Sequence, residues 1–186
     1  SEIMKNDLTE GRMAFEKQLD IMCAGAFSVS NDSDLKWVYF LDGLKDGDNN
    51  IAALIRCNDM LRQTFADSEH YQNYSVIMKN ELIFRKSGMV VGDKFFYDNY
   101  CTYQNTDFET WRRQSFESNT WQLFPLEEID TGERTFQAMT FSYPVRNYIQ
   151  QEPEANAVVQ FLLSKENLEQ MFGQLLSRQG GILIYD

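Results

Sequence analysis

"YSVIMKNELIFRK", Tyr74 to Lys86, is two apolar runs either side of Lys79-Asn80-Glu81. Runs rich in β-branched and aromatic residues around a short polar break predict two strands joined by a tight turn. Upstream the spacing is helical. Leu8, Met13, Phe15, Leu19, Met22, Cys23, Ala26 and Phe27 recur at roughly helical intervals, which predicts a long helix over 7–29. "SNDSD" (Ser30 to Asp34) ends it with capping and turn residues. "LKWVYFL" (Leu35 to Leu41) reads as a helical turn, and "DGLKDGDNN" as a loop. A second helix is expected over Ile51 to Ala66, capped by Asp48, Asn49 or Asn50, with Ile51, Leu54, Ile55, Leu61 and Phe65 on its apolar face.

Downstream of the hairpin, "SGMVVGDK" carries two glycines and reads as a loop, and Phe95 to Asn105 has no clean period. Asp107 to Ser118 predicts a short helix with Asp107 as its cap. The second half favours strands: Trp121 to Ile129, interrupted by Pro125; Arg134 to Val145; and Ala157 to Ser164, the clearest central strand. A helix over Lys165 to Arg178 follows, with Leu168, Met171, Phe172, Leu175 and Leu176 on one side. Helices gathered at the start around hairpin-linked strands predict an α+β layer arrangement.

The chain has 186 residues, a length that suits one domain with a sizeable core. Its net charge of −11 argues against nucleic acid or an anionic lipid surface, since both attractions need clustered cations. Cys23, Cys57 and Cys101 are far apart, form no zinc spacing, and read as small buried hydrophobes. His70 is the lone histidine, a poor start for a metal site or a His-based catalytic pair. GxSxG, HExxH, P-loop and GxGxxG motifs are all missing, so no enzyme activity, metal or cofactor is expected.

The order of elements, and three stretches in particular, resemble the Cache domains, which are PAS-like sensor modules of bacterial receptors. "YSVIMKNELIFRKSG" resembles their first hairpin, and "FFYDNYCTYQNTDFETWRRQSF" their aromatic stretch and short Trp-bearing helix. "NAVVQFLLSKENLEQMF" resembles their last sheet strand and exit helix. The double-Cache region of membrane-bound AraC-type regulators and sensor histidine kinases of Firmicutes is the nearest in character. The resemblance implies long N-terminal helices on a PAS-like antiparallel sheet, at the extracytoplasmic face of a membrane-anchored parent protein. It implies a helical region over 1–70, a sensor module over 71–164, and an exit helix over 165–186 that ends in "GGILIYD". That last run, Gly180 to Asp186, reads as the first strand of a second module belonging to a longer protein.

The resemblance also implies a small-molecule pocket under the 95–118 segment, because Tyr97, Tyr100, Tyr103 and Trp111 lie in the part that covers the pocket. Arg112 or Arg113 would receive an anionic group, as guanidinium forks match carboxylates. Met139, Phe141 and Tyr143 would form the floor. One departure stands out. Amino-acid-binding members carry Arg two residues before a Trp and an Asp near a later strand end. This chain has Glu109 before Trp111, and Leu163-Ser164-Lys165 at the strand end, so that grip is not reproduced. Two classes of function remain open: a small-molecule sensor, which would signal through its helices and pair as a homodimer through the first, or a protein-interaction or dimerisation module with a filled interior.

Overall fold

A computed structural model describes residues 2–39, 47–66, 71, 73–146 and 155–173. Its first element is helix α1 (Glu2–Ser30). Gly11, Phe15, Gln18, Met22, Ala26 and Val29 are buried, the three- and four-residue spacing of one helix face. Met13 and Phe27 were expected in this stripe, but they fall off that face and are exposed; Leu8 lies in line with it, one turn before Gly11, and is exposed as well. Helix α2 (Ser33–Val38) starts where the Asp32 carboxylate accepts from the Leu35 amide at 2.9 Å. Helix α3 (Gly47–Thr64) already begins at Gly47, so Asp48, Asn49 and Asn50, expected just before it, lie within its first turn. Its buried face is Ala53, Leu54, Cys57 and Leu61; Ile51 and Ile55, expected there, are exposed.

The predicted hairpin is strands β1 (Asn73–Met78) and β2 (Leu82–Arg85). Glu81 takes the positive φ of the turn, and Asn80 ties it to α2 by donating to the Val38 carbonyl at 2.9 Å. "SGMVV" was expected as loop but forms strand β3 (Gly88–Val91), antiparallel to β2. Phe95 to Asn105 divides into helix α4 (Asp93–Tyr100) and strand β4 (Thr102–Tyr103). Helix α5 (Phe108–Glu117) begins as predicted: the Asp107 carboxylate accepts from the Thr110 amide at 2.8 Å, compensating an unpaired first-turn N–H.

Strand β5 (Gln122–Asp130) runs through Pro125 by means of a register shift between Phe124 and Glu127. A bulge is one of the few places where a strand tolerates a residue without an amide hydrogen. Strands β6 (Thr135–Val145) and β7 (Ala157–Ser164) follow, then helix α6 (Lys165–Phe172), capped by the Ser164 hydroxyl. His70, the remainder of the helix expected to Arg178, and "GGILIYD" lie outside the described residues.

The described strands form one antiparallel sheet in the order β3-β2-β1-β7-β6-β5-β4. Both faces are covered. On one, Val76, Phe84, Met139, Phe141, Val159 and Phe161 pack with side chains of α1, α3 and α6. On the other, Ile77, Ile83, Val158 and Leu162 pack with Phe96 and Tyr97 of α4 and Trp111 and Phe116 of α5. Buried on both faces, β7 has no exposed residue, which is why "AVVQFLLS" is almost wholly apolar. Among the described residues no helix is long and apolar enough to cross a membrane.

Candidate functional site

The α4/α5 face of the sheet is not uniformly apolar. Ser142 on β6, Gln160 on β7, Ser75 on β1 and Arg85 on β2 are successive cross-strand partners. Such partners share a face, so they form a polar row across four adjacent strands. Two residues along each strand lie Pro144, Val158, Ile77 and Ile83, an apolar row. At the inner end, Gln160 donates to the Ser115 hydroxyl of α5 at 2.9 Å and to Ser142 at 3.5 Å. At the outer end, Arg85 faces a cavity.

That cavity has a volume of about 780 Å³, within the range of small-molecule sites. Ser75, Gln160 and Leu162 of the sheet line it, opposite Phe96, Tyr100 and Cys101 of the α4 region. Arg62 of α3, Phe65 just after it, the Lys86-Ser87 turn, and Glu133 and Arg134 of the β5–β6 turn complete the lining. Arg85 is nearly buried, with 16% of its side chain exposed. Its guanidinium carbon sits 3.9 Å from the centre of the Tyr100 ring, and it meets Glu133 at 3.5 Å. The Glu133 carboxylate itself is 75% exposed. Gly132 makes this placement feasible. It has φ +75, and a Cβ there would stand 2.2 Å from the Asn99 carbonyl oxygen, so only glycine lets the turn lie against the end of α4. Tyr74 also lines the cavity; its hydroxyl has no hydrogen-bond partner among the described residues.

Of the residues anticipated for the site, Tyr100 lines this cavity. Tyr97 is core: it stacks on Tyr103, packs edge-on against Phe108, and donates to the Thr106 carbonyl. Tyr103 and Trp111 border a separate cavity of about 120 Å³, with Gln114, Phe124 and Glu127. Tyr103 is buried and shares a 2.9 Å hydrogen bond with the Thr140 hydroxyl; burial pushes its pKa well above the ordinary value. The Trp111 indole N–H is buried without a partner among the described residues. Arg112 pairs with Asp93 at the start of α4 and lies over the Phe116 ring, so its fork links α4 to α5. Arg113 is on the exposed side of α5.

Met139, Phe141 and Tyr143 do not form a floor. They pack on the α1/α6 face, because successive residues of a strand point to opposite sides. Their neighbours Thr140 and Ser142 face α5 instead. Sequence reasoning missed Arg62, Ser75, Arg85, Lys86, Glu133 and Gln160. A signal existed for two of them: Gln160 interrupts "AVVQFLLS" and Ser75 interrupts "YSVIM", polar residues in otherwise apolar strands.

Comparison with solved structures gives the same architecture. The extracellular domain of a protein described as a histidine kinase, vpHK1S-Z8, matches with a TM-score of 0.58 at 10% identity, over 92% of this chain and 59% of that one. The periplasmic sensory domain of the Campylobacter jejuni chemoreceptor Tlp1 matches with a TM-score of 0.55 at 11% identity, over 100% of this chain and 64% of that one. This chain therefore spans less than two thirds of either. No family model and no curated protein sequence matches it. At such identities the likeness is one of fold: an α+β domain with a long N-terminal helix on a curled antiparallel sheet.

Proposed function

We propose that this domain is the extracytoplasmic sensor of a membrane-anchored bacterial signalling protein, and that it binds a small molecule in the 780 Å³ cavity. The observation that carries this reading is the cavity itself. An interaction module needs no such space, and a polar row across a buried sheet face is costly unless it has partners. The fold shared with sensory domains of a kinase and a chemoreceptor supports the same class. The parent is a transcription regulator of AraC type or a sensor kinase, and the helix after β7 leads toward a second module. The domain does no chemistry of its own and binds no nucleic acid, in keeping with its motifs and its charge of −11. It pairs through α1, where Met13 and Phe27 present exposed apolar side chains.

A thermal-shift screen of small metabolites tests this. A hit should raise the melting temperature of the wild type and not that of Ser75→Leu, which places bulk on the cavity floor. A screen without hits, or hits indifferent to Ser75→Leu, would favour the interaction module, which predicts no ligand.

A further inference from the structure

Given the sensory reading above, we infer that the ligand is an anion, carrying a carboxylate or phosphate group that Arg85 receives in the place Glu133 now holds. The cavity is cationic in an otherwise acidic protein. Arg62, Arg85, Lys86 and Arg134 line it, against the single carboxylate of Glu133, while the whole chain carries −11. A charge density opposite to that of the rest of the molecule focuses ions of the opposite sign.

Arg85 is the specific anchor. Its side chain is 16% exposed, and a guanidinium so far removed from water needs compensation. The compensation present is incomplete. Glu133 reaches it through one contact of 3.5 Å, at the limit of a hydrogen bond, from a carboxylate that is 75% exposed. A planar fork can hold an anion through two parallel bonds at shorter distance. The Tyr100 ring beneath it, at 3.9 Å, fixes the plane of that fork. Beside it, its cross-strand partner Ser75 offers a hydroxyl on the same face, and Lys86 follows directly in the chain. Glu133 thus behaves as an internal substitute for the ligand's charged group, carried on a solvent-exposed turn from which it is readily displaced.

The experiment uses four probes at constant ionic strength: glutarate, inorganic phosphate, 1,5-pentanediol and 1,5-diaminopentane. Three share a five-carbon chain and differ in charge. Binding is read by melting temperature and by calorimetry. Glutarate, phosphate or both should bind, and the neutral and cationic probes should not. Which of the two binds separates a carboxylate ligand from a phosphate. Arg85→Gln should weaken the anion on the order of tenfold to a hundredfold, the loss of one charge-assisted bond. Arg62→Gln, at an exposed position that folding does not depend on, should weaken it less, and Arg12→Gln on the far surface of α1 not at all. Glu133→Gln should tighten it several-fold, a gain that a merely structural role for Arg85 would not produce. If neither anion binds, or if binding survives Arg85→Gln and Arg62→Gln, the assignment is overturned. Binding of pentanediol or diaminopentane in their place would leave the sensory reading standing and remove only the anion.

Discussion

Cys57 and Cys101 sit in the two apolar cores, one on each side of the sheet. Burial raises both thiols from an ordinary 9.0 to about 12, and raises the Tyr74 phenol from 10.0 to about 12. The folded state therefore holds protons that the unfolded chain begins to release near pH 9. Stability from these groups is complete below the unfolded value and is lost as pH rises toward the folded one. The urea midpoint should stay level from pH 7 to 8 and fall steadily from pH 9 upward. Cys57→Ala/Cys101→Ala should give a shallower fall between pH 9 and 10; an unchanged slope would show that the thiols are not the cause. At this scale little of the site was legible. Tyr100 stood in a stretch whose aromatics were visible, yet its neighbours Tyr97, Tyr103 and Trp111 pack elsewhere. Aromatic content reports burial and does not say whether a ring meets a cavity or a neighbouring ring. Arg85 gave no sign, because a cation at a strand end is ordinarily solvated.

Helices α1 and α6 touch where Gly11 meets Phe172. A Cβ at Gly11 would lie 2.4 Å from the Phe172 ring, which is itself held against Phe15 with centroids 6.2 Å apart. Alanine favours a helix interior over glycine by about 1 kcal/mol, but overpacking costs about 1–3 kcal/mol. Gly11→Ala should thus lower stability by up to roughly 2 kcal/mol in urea melts. In a Phe172→Leu background the sign should reverse, because the ring that opposes the methyl is gone and the propensity gain remains. Most elements were legible at this level. The hairpin, α1, α5 and β7 follow from periodicity and from Asp107. Strand β3 was not, because Gly88 and Gly92 bracket it like loop residues, and α4 was not, because its eight residues mix aromatic and charged side chains without a stripe. The misplaced floor at Met139, Phe141 and Tyr143 has a different cause. Alternation in β6 is plain, but with both faces of the sheet covered, pattern alone leaves open which parity faces the cavity.

For the molecule as a whole, β7 is the axis: it lies between β1 and β6, and all eight of its residues are buried. Opening it would disrupt both cores together, so its amides should exchange only through global unfolding. Hydrogen exchange read by mass spectrometry should find Val158 to Leu163 the slowest segment and the edge strands β3 and β4 among the fastest of the sheet. Comparable rates across all strands would contradict a central β7. That axis was recognisable in advance as the most apolar strand; its partners were not, since pairing between distant segments leaves little local trace. The same position has a consequence in time. β1 is made early and β7 late, yet Tyr74 must find Phe161 and Ile77 must find Val158. Contacts so remote along the chain carry a large loop-closure cost before they return any energy, and they slow folding. While the ribosome is still adding residues, β1 and its hairpin have an unfilled edge on the side that β7 will take. The nascent chain must stay unpaired there, open to chaperones and to wrong partners alike, until nearly the whole domain has been synthesised.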